Sequence, residues 1–191
     1  WFKDSDMQDH QCWMQPLKED KLDEPPPGYV FFDCEAYQEK EVAPGKFQHE
    51  VSLIVAQVTC PKCEDNWEPD NTCETCGQRE VVFDNPETCL EDFLKWLFNR
   101  KKGTIALCHN FSGYDGPLIL RGLVDMKIPV DILNSGLRVY SMELKGVTVK
   151  DSLRFLAMGL SKLPEAYGFA EEKGFFPYLA YNRVNANYKG P

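Results

Sequence analysis

Apolar and polar positions alternate along most of this chain in short runs. Residues 29–35, YVFFDCE, put Phe32 and Cys34 on one face of a strand and Asp33 and Glu35 on the other. EVSLIVAQV (50–58) is rich in β-branched residues and predicts a second strand, and EVVF (80–83) a third. NPETCLEDFLKWLFNRKKG (85–103) changes the period. Cys89, Phe93, Leu94, Leu97 and Phe98 share one helical face, Asn85 stands at the N-cap position with Pro86 in the first turn, and basic residues precede Gly103. TIALCHN (104–110) predicts a buried strand and YDGPLILRGLVD (114–125) a second helix. LRVYSMELKGVTVKDSLRF (137–155) alternates on both sides of Lys145-Gly146, as a hairpin does. Residues 1–28, polar and acidic and closing in PPPG, predict a lead-in segment. Strands mixed with helices and hairpins predict an α/β domain over 29–191 with a central mixed sheet.

Composition narrows this picture. With 191 residues, 43% hydrophobic and 13% aromatic, the chain suffices for one packed domain plus a small insertion. No apolar run approaches the roughly 20 residues of a membrane span, and the start lacks the layout of a signal peptide. It begins without Met and stops at Gly190-Pro191, so a piece of a longer protein is expected. The net charge of −9 argues against a binder that holds nucleic acid by charge alone. That charge is uneven: residues 1–80 hold 7 Lys/Arg against 18 Asp/Glu, and residues 81–191 hold 14 against 12. Nucleic acid would therefore lie along loops of the second half or be gripped through metals.

The cysteines add a motif. Cys60 and Cys63 in CPKC, and Cys73 and Cys76 in CETC, make two C-x2-C knuckles around the polar spacer EDNWEPDNT. Four thiolates so spaced suit a tetrahedral zinc ion with no open position, hence a structural site in an insertion over 59–79. Two disulfides or a redox dithiol are the other readings of the spacing. Zinc thiolates imply a reducing, intracellular compartment, with the nucleus expected. Cys12, Cys34, Cys89 and Cys108 sit in apolar contexts and read as core residues, and His10 with Cys12 is a weak half-site.

Charge inside an apolar strand needs compensation. Side chains at i and i+2 share a face about 6.5–7 Å apart, so Asp33 and Glu35 can ligate one metal jointly, with Asp33 bridging to a second. Metal pairs stabilise the attacking and leaving oxygens of phosphoryl transfer. Two acids at a frayed, solvated strand end are the plainer alternative. ALCHNFSGYDGPLILRGL (106–123) places Asn110, Tyr114 and Asp115 at a strand-to-helix turn. Asp115 can face the first pair or serve only the positive helix N-terminus.

FDCEAYQ, HNFSGYDGPLILRGL, KDSLRFLAMGLSKLPEAYGF and EKGFFPY, in this order, resemble the proofreading exonuclease domain of protein-primed family B DNA polymerases, with the Polinton/Maverick and related viral or linear-plasmid enzymes most alike. QCWMQPL, the knuckles and NANYKGP extend the likeness over nearly the whole chain. It implies a ribonuclease H-like fold of the DEDD exonuclease type. The implied activity is 3′→5′ removal of nucleotides from single-stranded DNA, or RNA, with two Mg²⁺ or Mn²⁺ ions. The resemblance makes Asp33, Glu35 and Asp115 metal ligands, Asn110 and Tyr114 single-strand contacts, and Lys173 a residue that offsets charge on the scissile phosphate. Ser152 and Leu153 correspond to a Ser/Thr-Leu motif holding single-stranded DNA and a terminal priming protein. Phe155 adds apolar surface for an unstacked base. Core packing is the alternative for Leu153 and Phe155, and a solvated surface position for Lys173.

The family's third motif, Tyr followed four residues later by Asp, is absent. After Asp151 the only acids are Glu165, Glu171 and Glu172. Asp151 itself reads as setting the turn into Ser152. Three readings follow: part of an exonuclease–polymerase, a domesticated and catalytically incomplete scaffold, or a stand-alone exonuclease completed by other residues.

Overall fold

The structure, a computed structural model, describes residues 27–63, 68, 70–170, 173–177 and 180–186. The lead-in segment to residue 26, with His10 and Cys12, lies outside the described residues, as do most of the spacer between the knuckles and 187–191. Strands β1 (Tyr29–Ala43) and β2 (Lys46–Thr59) make a long antiparallel hairpin. Then come the short β3 (Thr72–Cys73) and β4 (Gly77–Gln78), β5 (Glu80–Phe83), helix α1 (Cys89–Leu97), β6 (Ile105–Cys108) and α2 (Asp115–Asp125). The hairpin of β7 (Asp131–Ser135) and β8 (Arg138–Leu144) leads into β9 (Val147–Asp151). A 3₁₀ turn at Ser152–Arg154 follows, then another at Leu160–Lys162, and α3 (Leu163–Tyr167).

Seven strands form one sheet in the order β5-β2-β1-β6-β9-β8-β7, with β3 and β4 paired separately. β1, β6 and β9 run parallel, and the remaining pairs are antiparallel. This is the expected mixed sheet. α1 and α2 cover one face, where alternate strand residues meet them: Val30, Phe32 and Cys34 of β1, Ile54, Ala56 and Val58 of β2, Val147 and Val149 of β9. Phe93, Leu94, Leu97 and Phe98 of the first helix fill the same core, as their spacing predicts. No helix among the described residues is long and apolar enough to cross a membrane.

Several boundaries differ from expectation. The first strand runs to Ala43 and not to Glu35, because pairing with β2 carries it beyond the apolar run. α1 starts at Cys89, capped at Thr88, so Asn85 is not its cap. Asn85 instead closes the preceding turn: its side chain accepts from the Glu87 N–H, and its carbonyl from those of Thr88 and Cys89. The buried strand ends at Cys108, and the second arm of the later hairpin ends at Asp151, so Ser152 and Leu153 stand in a 3₁₀ turn. Lys145 and Gly146, with φ of 52° and 77°, make the tight turn between Leu144 and Val147. β7 carries no strand pattern of its own, since all five residues are exposed, and it exists by pairing with β8.

Candidate functional site

The parallel strands β1, β6 and β9 deliver their carboxyl ends to one edge of the sheet, the place where α/β proteins gather ligands. Asp33 lies just past the point where β1 leaves β6, whose last residue is Cys108. The chain then turns through 109–114 into α2, at whose first residue stands Asp115. Gly116 makes this turn possible. Its N–H donates to the Phe111 carbonyl at 2.7 Å, and a Cβ there would sit 2.7 Å from that same oxygen.

The turn brings Asp115 back under β1. One Asp115 oxygen accepts the Cys34 N–H at 3.1 Å, and the side chain is 2% exposed. Ligand atoms of Asp33, Cys108 and Asp115 all lie within 4.8 Å of one another. Cys108, read from sequence as a core residue, is buried as expected, but its thiol reaches this acidic cluster. The Cys34 and Cys108 thiols hydrogen-bond Asp115, and burial holds both well above the usual thiol pKa, so each remains a protonated donor.

Glu35 shares the outward face with Asp33. A β-bulge fixes it: the pairing slips between Glu35 and Ala36, and the fully buried Ser52, left unpaired, donates its hydroxyl to the Glu35 carbonyl at 3.3 Å. Desolvation, then the charge of Asp33, pushes the Glu35 carboxyl up to about 7. Desolvation raises Asp115 to about 6, and Asp33 also rises, against the opposing pull of Lys173. Burial thus raises all three carboxyls, with repulsion from Asp33 added at Glu35 and Asp115. The Asp33 and Asp115 oxygens so gathered suit a hard divalent ion, and Glu35 stands outside that 4.8 Å cluster on the same strand face.

The other expected residues surround this centre. Asn110, exposed and at φ 65°, begins the turn, and its carbonyl accepts the Gly113 and Tyr114 N–H groups. Tyr114 contacts His49 of β2, with hydroxyl and ring Nδ1 3.0 Å apart, and burial raises its phenol to about 12. Lys173 is exposed and acts on Asp33 and Glu35 through charge. Ser152 does not point its hydroxyl freely outward. It lies 3.0 Å from Nδ1 of His109, while Nε2–H of that ring donates to the Met158 carbonyl at 2.9 Å. The Ser152 hydroxyl also donates toward the Cys108 carbonyl at 3.4 Å. Sequence reasoning missed His109, whose partners lie more than 40 residues away. Asp151 sets the turn as expected: its carboxylate accepts from the Leu153 and Ser112 N–H groups at 3.0 and 2.9 Å.

Beside Asp33 the uncovered face of the sheet forms a cavity of about 490 Å³. Phe31, Val55 and Leu107 of the strands, with Phe155, Leu156 and Leu163 of the segment after β9, supply its apolar walls. Asp33, His109 and Ser152 share the lining, whereas Leu153 does not.

A second cluster lies at the far side of β2. The four knuckle sulfurs approach one another at 3.8 Å (Cys60–Cys73), 3.8 Å (Cys60–Cys63) and 3.5 Å (Cys63–Cys76). Tetrahedral bonds of about 2.3 Å to zinc would set sulfurs roughly 3.8 Å apart, whereas a disulfide requires about 2.05 Å. All four are free thiols, so the disulfide reading fails and the donor set fits zinc. The Cys60 N–H donates to Cys63 sulfur and the Thr75 N–H to Cys73 sulfur. N–H donation from Cys76 and Thr75 lowers Cys73 to about 6. Arg100, just after α1, donates to the Cys76 carbonyl at 2.7 Å and ties the knuckles to the domain.

This architecture has known counterparts. Phi29 DNA polymerase in a ternary complex with primer-template DNA and incoming nucleotide superposes with a TM-score of 0.60 at 14% identity, covering 86% of this chain and 27% of that one. The same polymerase complexed with single-stranded DNA gives 0.58 at 14% identity, covering 80% and 26%. The chain thus spans about a quarter of the length of these polymerases, and at this identity the likeness is one of fold. Among curated proteins none matches. The family model for DNA polymerase type B, organellar and viral, matches residues 95–191, from within α1 through α2 and the Ser152 turn. By sequence family and by fold together, the chain belongs to the organellar and viral type B DNA polymerases.

Proposed function

We propose that this chain is the 3′→5′ exonuclease domain of a protein-primed type B DNA polymerase, removing nucleotides from single-stranded DNA ends. The carrying observation is the meeting of Asp33 and Asp115 within 4.8 Å at the carboxyl edge of the parallel strands, beside an apolar cavity. Asp33, Glu35 and Asp115 would hold two Mg²⁺ or Mn²⁺ ions, which when bound stabilise the attacking and leaving oxygens of the phosphodiester.

The chain's own residues do the rest. The cavity between Phe31, Leu107 and Phe155 takes the unstacked terminal base, where apolar and aromatic surface gives sequence-tolerant affinity. Asn110 and Tyr114, in the turn that leads into α2, hold the strand outside the cavity. His109 and the Cys108 carbonyl fix the Ser152 hydroxyl at the lining of the cavity. Lys173 offsets charge on the phosphate. The buried Cys34 and Cys108 thiols hold Asp115 from beneath. The zinc knuckles are structural, and a terminal priming protein is the expected partner at the Ser152–Leu153 turn.

The test uses the full polymerase chain containing this domain. With Mn²⁺ it shortens a 3′-labelled single-stranded oligonucleotide, and Asp33→Ala lowers the rate by on the order of a thousandfold. Equal degradation by the variant removes Asp33 from the reaction. No degradation by the parent favours a domesticated scaffold, the reading the missing third motif supports.

A further inference from the structure

Lys173 has an exposed side chain and stands in a segment without helix or strand, 173–177. Among the described residues no hydrogen bond or ion pair holds Lys173, and its neighbours Gly174 and Phe175 are exposed too. The fixing contacts lie a few residues on. Phe176 packs edge-on against Tyr181 with ring centroids 4.9 Å apart, and Tyr181 stacks on Tyr37 of β1 at 5.0 Å with 27° between the planes. Tyr37 is 2% exposed, so the stack rests on a rigid ring.

Arg183 also packs on that ring, its guanidinium carbon 5.0 Å from the Tyr37 centroid. Its Nη2 donates to Glu50 of β2 at 2.6 Å, and its backbone N–H donates to Glu39 of β1 at 3.1 Å. Lys40 holds the second Glu50 oxygen at 3.4 Å. Any one of these ion pairs alone is weak at such exposure. Together with the stacked rings they make one multipoint attachment to the β1–β2 hairpin. Asp33 and Glu35 stand on the same strand of that hairpin, so Phe176, three residues after Lys173, is tied through Tyr181 to the strand that carries the carboxylates.

We propose that Arg183, seated on Tyr37 and paired with Glu50, is a positioning residue that latches the 173–183 segment onto the β1–β2 hairpin and thereby sets Lys173 beside Asp33 and Glu35. The inference rests on the exonuclease reading for its effect on rate, and on packing alone for its effect on structure. The charge of Lys173 acting on both carboxylates accords with it. Arg183 touches no substrate in this account and acts only through Lys173.

The test again uses the full polymerase chain. Arg183→Ala lowers kcat on single-stranded DNA about tenfold, with KM little changed, as a displaced catalytic group does. Glu50→Gln has the same direction, and Arg183→Lys recovers part of the loss. In a Lys173→Ala background, Arg183→Ala has no further effect, because both changes remove the same contribution. Multiplying losses in the double variant, or an unchanged kcat in Arg183→Ala, overturn the proposal. Amide hydrogen exchange gives an answer independent of catalysis: protection of the Ala180 and Tyr181 amides, which donate to the Pro177 carbonyl, falls in Arg183→Ala and in Glu50→Gln. Unchanged protection sinks the latch. A parent without nuclease activity sinks the exonuclease reading, while exchange still decides the latch.

Discussion

Asp115 is bound twice over, by a backbone N–H of β1 and by two buried thiols, and this sets what its replacement will do. Asp115→Asn keeps an acceptor for the Cys34 N–H, so the variant folds with near-parent thermal stability and loses Mn²⁺-dependent degradation. Asp115→Ala leaves that buried N–H unpaired and costs a further 1–3 kcal/mol or so, measurable by denaturant titration. Proton binding offers a second check. Burial raises Glu35 to about 7 and Asp115 to about 6, from ordinary values of 4.5 and 3.8. The folded chain therefore binds these protons more tightly than the unfolded one. The resulting stability is full below pH 4 and is lost as pH rises through 6 to 7. Without divalent ions, the melting temperature of the parent falls relative to Glu35→Gln over that window, and Mn²⁺ at pH 7 restores it. A parent-minus-variant difference that stays flat would show Glu35 to be an ordinary solvated acid. The acids were legible in sequence because charge in an apolar strand is conspicuous. Cys108 and His109 were not: a thiol and an imidazole fit a core strand equally well, and only the tertiary partners, Asp115 and Ser152, give them work.

At the scale of elements, strong periodicity was read correctly and its ends were not. The 145–146 turn, the apolar face of α1 and the knuckle pairs each carry local chemistry. Thr88 displaced Asn85 as the start of α1 because the Asn85 side chain and carbonyl close an earlier turn. The β1 bulge at Ser52 leaves no trace in a pattern of alternation, yet it aims Glu35. Two predictions belong here. Gly116→Ala drives a methyl into the Phe111 carbonyl and should cost about 1–3 kcal/mol, seen as a lower denaturation midpoint. Cys73→Ser, or chelation, releases an ion whose binding supplies on the order of 10 kcal/mol of folding free energy in knuckle peptides. Loss of one zinc equivalent by metal analysis should accompany increased proteolysis within 59–79, while α1 and β6 stay protected. Retention of full knuckle structure without zinc would contradict the assignment.

For the whole molecule, the net charge of −9 makes an electrostatic grip on DNA unprofitable. Binding of a single-stranded oligonucleotide, followed by fluorescence anisotropy, should weaken more on removing Mn²⁺ than on raising salt from 50 to 200 mM, with a shallow slope matching few phosphate contacts. A steep slope without metal would mean that a basic surface does the holding. The fold class was legible because strands and helices alternate, whereas the attachment of 173–183 to the hairpin joins residues over 130 positions apart and has no local signature. One further consequence concerns relatives. β1 pairs with β6 only as far as Phe31, and beyond it the Asp115 side chain takes the place of an absent neighbouring strand. A lineage that abandoned DNA editing would still be held by its architecture to an acceptor of that shape, aspartate or asparagine. Glu35 is freer, since its carboxylate accepts no hydrogen bond among the described residues. Across descendants of this domain, the erosion of that glutamate, not the persistence of Asp115, would mark where editing ceased.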